Sequence, residues 1–231
     1  MDNNDYSKLT KAFPNLFSNE DHPIKIILDF SETEEWKKKR LNSLQEKSLP
    51  PEWADIGVIC RDPYVMILRD LVEFPGGTKN GYIRLYNRAY IEGGAAGVVI
   101  LPERDGKILL MHNFRHATRQ WHWEIPRGFG EPGVSAEDQA KEEAKEEIGV
   151  EPDNIELVAL GTLYNNTGLE GNPIDLFFAH VATPGILNQE IGSDELRWVS
   201  IGELERMIAD GDITDGFTIA AYTKAKLKGL I

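Results

Sequence analysis

The thirty residues 121–150, WHWEIPRGFGEPGVSAEDQAKEEAKEEIGV, constrain the fold most, because they pass from strand to turn to helix to stop. WHWEIPRGFGEPG (121–133) reads as a strand breaking into a glycine- and proline-rich loop. Ser135, with Asp138 three residues later, forms a capping box. A helix is therefore expected over Ala136–Ile148, stopped by Gly149 at its C-cap. Its apolar stripe is Ala140, Ala144 and Ile148. Two alanines let the helix lie close on a sheet, which turns the acidic face toward the preceding loop. Residues 142–147 place four carboxylates in six positions. On a helix, Glu143, Glu146 and Glu147 stand at about 0, 300 and 40 degrees and share roughly a 100-degree arc. Like charges so spaced repel by a few tenths of a kcal/mol per pair. Either water screens them, the commoner outcome for such a run, or they hold a divalent cation.

The flanks give the fold class. Gly97–Pro102 and Lys107–His112 read as strands joined by the turn Glu103-Arg104-Asp105-Gly106. Leu157–Leu163, Ile174–Val181 and Arg197–Val199 are further strands. Ser200 with Glu203 caps a helix through Leu204, Met207 and Ile208, and Asp215 or Gly216 opens a last one through Phe217, Ala221 and Leu227. Strands and helices in this irregular alternation imply an α/β fold, a mixed sheet flanked by helices. Residues 1–90 read as an N-terminal α+β extension and 91–231 as the catalytic body. In the extension, 1–22 look irregular. Ser31-Glu32-Thr33-Glu34 is a capping box for a helix carrying Trp36, Leu41 and Leu44, which Pro50 and Pro51 close. Strand-like alternation over 56–90 holds an Asn80-Gly81 pair suited to a hairpin turn.

Composition narrows the partners. A net charge of −13 argues against nucleic acid or an anionic membrane as the main partner. It also repels a polyanionic substrate unless local arginines or metal ions invert the field. The single cysteine, Cys60, cannot form an internal disulfide, which fits a reducing cytoplasm. MDNNDYSKLT has neither the basic nor the apolar region of a signal peptide. The apolar run near Ala95–Leu101 is too short to span a bilayer.

From Gly128 to Val150 the chain resembles the Nudix hydrolase signature, G-x5-E-x7-R-E-U-x-E-E-x-G-U, where U is bulky and aliphatic. Gly128, Glu143, Glu146, Glu147, Gly149 and Val150 match, and Ala144 is a weak match for U. Val134 stands where the first glutamate belongs and Glu142 where the arginine belongs, a pair that braces the loop in the family. The resemblance implies an α/β/α sandwich and hydrolysis of a nucleoside diphosphate linked to another moiety. It implies Mg²⁺, or Mn²⁺ in its place, on Glu143, Glu146, Glu147 and the backbone carbonyl of Arg127.

The stretches NFR (113–115), WEIPRG (123–128) and ITDGFTIAA (213–221) resemble the ADP-ribose and nucleotide-sugar pyrophosphatases of that family. So does the N-terminal extension, which in relatives swaps across a homodimer and helps to form the adenosine site. Arg115, Glu124, Arg127 and Gly128 are the candidates for substrate contact. Arg115 could grip phosphate bidentately, although Arg115, Arg119 and Arg127 could equally be ion-pair partners on an acidic protein. Trp121 and Trp123 could stack on a base, with one of them in the core by alternation. His112, His116 and His122 lack a metal spacing. Alignment through LFF puts Asn172 where the branch carries a catalytic glutamate, and an amide cannot take a proton from water at neutral pH. Glu170 is then the first candidate for the base, and Glu146 the second, acting through a metal-bound water; Glu147 completes the catalytic set. The alternatives are a catalytically impaired nucleotide-binding or regulatory module, or a hydrolase of dinucleoside polyphosphates or a coenzyme.

Overall fold

The structure, a computed structural model, describes residues 3–182 and 192–231. The chain divides into two compact units, Met1–Ile91 with Asn166–Gly171, and Glu92–Asn165 with Asn172–Ile231.

The first unit opens with α1 (Asn3–Ala12), where an irregular segment was expected. Tyr6, Leu9 and Phe13 mark one helical face, but three apolar residues in a polar stretch are too few to stand out. They pack with Phe17, Met66, Leu68 and Tyr86 in this unit's core. The next helix, α2 (Phe30–Glu46), is capped two residues before the expected Ser31. Asp29 is the cap, and its carboxylate accepts the Glu32 N–H at 2.8 Å. Strands β3 (Val65–Glu73) and β4 (Lys79–Asn87) pair along their whole length. Their turn is Phe74–Thr78, not the Asn80-Gly81 pair, which lies inside β4. Gly77 supplies the left-handed φ of 77° that the turn requires. The other edge of β3 is shared by β1 (Lys25–Ile26) and β2 (Gly57–Arg61), and a short helix, α3 (Arg88–Ile91), follows β4. A buried polar brace joins α1 to this sheet. Arg84 donates to Asp70 at 2.5 Å, to the Tyr86 hydroxyl at 2.7 Å and to the Leu16 carbonyl at 2.8 Å. The Tyr6 hydroxyl donates to the other oxygen of Asp70.

The second unit is built on a seven-stranded mixed sheet. Its strands are β5 (Gly97–Arg104), β6 (Lys107–Arg115), β7 (Gln120–Glu124), β8 (Arg127–Phe129), β9 (Ile155–Leu163), β10 (Ile174–Val181) and β11 (Ser193–Ser200). Among the described residues, only β5 and β10 pair in parallel in this sheet; its other ladders are antiparallel. On one face lies α4 (Ala136–Ile148), whose fully buried Ala140, Ala144 and Ile148 pack on Val98, Ile100, Leu109 and Met111. The stripe, the Ser135 cap and the left-handed Gly149 stop (φ 65°) are all as the sequence implies. Alternation along β5 sends Val99 and Leu101 to the other face. There α6 (Gly216–Leu227) packs, while α5 (Ile201–Asp210) packs on β6 and β11. Leu227, expected to pack, is 83% exposed.

One departure from a simple sheet builds the site. The β5–β6 hairpin pairs only at its closed end, through Glu103↔Ile108 and Arg104↔Lys107. Beyond it β6 pairs with β7 and β5 with β8, so the Ile125-Pro126 connection bridges the opening. A hydrogen bond from the Ile100 N–H to the Pro126 carbonyl, 2.9 Å, fixes it there.

Candidate active site

The glycine loop and the acidic face of α4 meet at two main points. The Glu147 carboxylate accepts the Arg127 backbone N–H at 2.7 Å. Glu143 lies directly over Gly128, where a Cβ would stand 1.9 Å from Glu143 Oε1. Glycine is thus required at 128 by the approach of a carboxylate. Gln139, one turn earlier on α4, donates to Glu143 at 2.9 Å. Glu143 and Glu147 are buried, whereas Glu146 and Glu142 face solvent.

Burial sets the electrostatics. Desolvation pushes the Glu147 carboxyl up to about 8; the Arg127 N–H opposes this and the neighbouring Glu143 charge adds to it. Glu143 is raised too, first by burial, with Gln139 pulling down and Glu146 pushing up. Two adjacent buried acids, both disfavoured as anions, form an oxygen donor set of the kind that a hard divalent cation relieves. The residues therefore fit such an ion. Among the described residues, no group of three or more His, Cys, Asp or Glu side chains is gathered to hold a metal; Glu146 is exposed, while its two neighbours are buried.

Beside this pair sits an ionic cluster around the fully buried Glu124. Glu124 receives Arg115 Nε at 2.6 Å on one oxygen and Arg127 Nη2 at 2.7 Å on the other. The Arg127 guanidinium also lies 3.4 Å from Asp215 and 4.8 Å from the centroid of the Phe217 ring. Glu124 thus has both oxygens occupied by arginines. Arg115 keeps one buried nitrogen, Nη2, with no hydrogen-bond partner. Glu170 belongs to the other unit, where it bridges to Leu85. Asn172, at the expected glutamate position, is 1% exposed.

Trp121 and Trp123 are two residues apart on β7 and so share a face. Both pack on His112, at 5.0 and 4.6 Å, and neither enters the core. Arg119 stacks on Phe114 and contacts His116. The loop that has lost the Val134–Glu142 brace is held by main chain instead: Ala95 N–H donates to the Val134 carbonyl at 3.1 Å and Val134 N–H to that of Glu131 at 3.1 Å. Gln139, Asp215 and Phe217 are the site residues that sequence reasoning missed. Gln139 sits four residues before Glu143, a helical spacing that could have flagged it. Asp215 was visible only as a helix cap.

The NUDIX domain model matches residues 92–217, and the chain belongs to this family of hydrolases, which generally use divalent metal ions. Its curated relatives include an ADP-ribose pyrophosphatase of Bacillus subtilis, 25% identical over 81% of this chain and 96% of that one. An ADP-ribose pyrophosphatase of Mycobacterium tuberculosis is 26% identical over 66% and 72%. A CMP-5'-(N-acetyl-N-hydroxy-3-aminopropyl)phosphonate hydrolase of Streptomyces rubellomurinus is 25% identical over 68% and 74%. Among solved structures, an ADP compounds hydrolase shares the fold with a TM-score of 0.58 at 19% identity, over 76% of this chain and 93% of that one. Among the described residues no helix is long and apolar enough to cross a membrane.

Proposed function

We propose that the protein hydrolyses the pyrophosphate of ADP-ribose or a related nucleotide sugar, with Mg²⁺, to a nucleoside monophosphate and a sugar phosphate. The observation that carries this is the pair of buried acids, Glu143 and Glu147, set against Gly128 and the Arg127 N–H beside an arginine with a spare donor. Water adds to one phosphorus, the P–O–P bond breaks, and the departing phosphate keeps the electron pair. A divalent cation, when bound, supplies neutralisation of the pyrophosphate charge and activation of water. Glu143 and Glu147 would hold it, with Glu146 completing the acidic face. Arg115 would offer its buried Nη2 to a phosphate oxygen. Glu146 and Glu170 are the candidate proton acceptors. The relatives support the substrate class: each is named for a compound in which a nucleotide is joined to another group.

A panel of ADP-ribose, UDP-sugars and GDP-sugars, incubated with protein and Mg²⁺, should yield phosphatase-sensitive monophosphate from at least one member. An intact ligand that binds by calorimetry and survives for hours would favour the second reading, a binding module, which Asn172 at the glutamate position motivates.

The same reading includes a homodimer formed through the N-terminal unit and a cytoplasmic location. That unit exposes Leu28 (48%), Phe30 (63%) and Trp53 (47%), apolar side chains that a partner copy could cover. Light scattering should give twice the 26.0 kDa chain mass; a single-chain mass removes the dimer.

A further inference from the structure

The first turn of α6 is bolted to the connection that serves Glu147. The Asp215 side chain is 8% exposed, and one of its oxygens accepts both the N–H and the hydroxyl of Thr218 at 2.8 Å, capping the helix. Its other oxygen faces Arg127 at 3.4 Å. The Thr218 hydroxyl in turn accepts the Ile125 N–H at 3.2 Å. Ile125 and Arg127 flank Pro126, so α6 grips the β7–β8 connection on both sides of its proline. That connection delivers the Arg127 N–H to Glu147. Arg127 Nη2 itself lies between two carboxylates, Glu124 and Asp215, with the Phe217 ring against the guanidinium.

We propose that Asp215 and the Arg127 side chain are positioning residues. Through them the N-terminus of α6 sets the Arg127 N–H, and with it the place of the Glu147 carboxylate. The Arg127 side chain then serves the loop, a role that the sequence did not indicate. The proposal rests on the reading of Glu147 as a metal ligand.

Asp215→Asn separates the roles of the aspartate, because asparagine caps a helix as well as aspartate does but brings no charge to Arg127. Calorimetric Mn²⁺ binding, melting, and kcat and KM measured separately make up the test. The Asp215→Asn variant should melt within about 3 °C of wild type. Its Mn²⁺ affinity should fall about tenfold, and kcat about tenfold with KM within about twofold, the size of effect known for groups that orient metal ligands. Arg127→Met should behave alike, and Arg127→Lys should recover part of both losses. Wild-type Mn²⁺ affinity in Asp215→Asn and Arg127→Met, or a loss confined to KM, overturns the proposal. If Asp215→Asn unfolds early, Arg127→Met, which leaves the cap intact, decides by the same readouts. If wild type turns over no nucleotide sugar, the substrate reading fails alone and Mn²⁺ affinity still decides positioning. A wild type that binds no Mn²⁺ overturns both.

Discussion

Exchanging Glu147 for glutamine is expected to raise the melting temperature of chelator-treated protein while cutting metal-dependent turnover at least about a hundredfold. The two effects have one origin. In the folded protein burial pushes the carboxyl up to about 8 from its ordinary 4.5. Between those values the unfolded chain releases this proton while the folded one keeps it, so stability is lost as pH rises through that window. Stability from this group is fullest below about pH 4.5, and the loss is complete once pH passes about 8. Glutamine keeps an acceptor for the Arg127 N–H, 2.7 Å away in wild type, but never ionises. Melting of Glu147→Gln at pH 8 in chelator should therefore rise by on the order of 3 °C, and its dependence on pH from 5 to 8 should flatten. The activity loss follows because groups that merely orient a metal ligand cost 10–100-fold, about the floor for a ligand itself. A pH-flat wild-type melting profile would show that Glu147 is not buried as described.

Gly128→Ala is expected to lose about a hundredfold in turnover and about 1–3 kcal/mol in stability. The added methyl would stand 1.9 Å from Glu143 Oε1 and 2.0 Å from its Cδ, so the carboxyl group must leave its place. Side-chain ends often yield cheaply, but this one is buried and tied to Gln139 at 2.9 Å. Urea unfolding and steady-state kinetics on the same preparation check both halves. Near-wild-type activity in Gly128→Ala would mean that Glu143 can work from elsewhere.

The sequence carried the parts of this site that are local. Ser135, the Ala140–Ala144–Ile148 stripe and Gly149 specify α4 by capping and periodicity alone, and Gly128 and the glutamates follow from a dense motif. What it hid is non-local. Asp215 meets Arg127 only because α6 packs across the β7–β8 connection. Glu124 finds Arg115 because β6 and β7 pair. The N-terminal errors were local choices between rival signals: Asp29 outcompeted Ser31 as a cap, and Pro75-Gly76-Gly77 outcompeted Asn80-Gly81 as a turn. Trp121 and Trp123 share a face by their spacing of two, which rules out splitting them between core and surface.

Release of AMP from ADP-ribose in Mg²⁺, followed side by side for wild type and Glu147→Gln, tests the assignment of chemistry to this site most directly. Wild type should form AMP and ribose phosphate in equal amounts, with the variant slower by at least about a hundredfold. Equal rates in the two proteins would contradict it, as would the absence of any monophosphate from ADP-ribose and from every other nucleotide sugar of the panel.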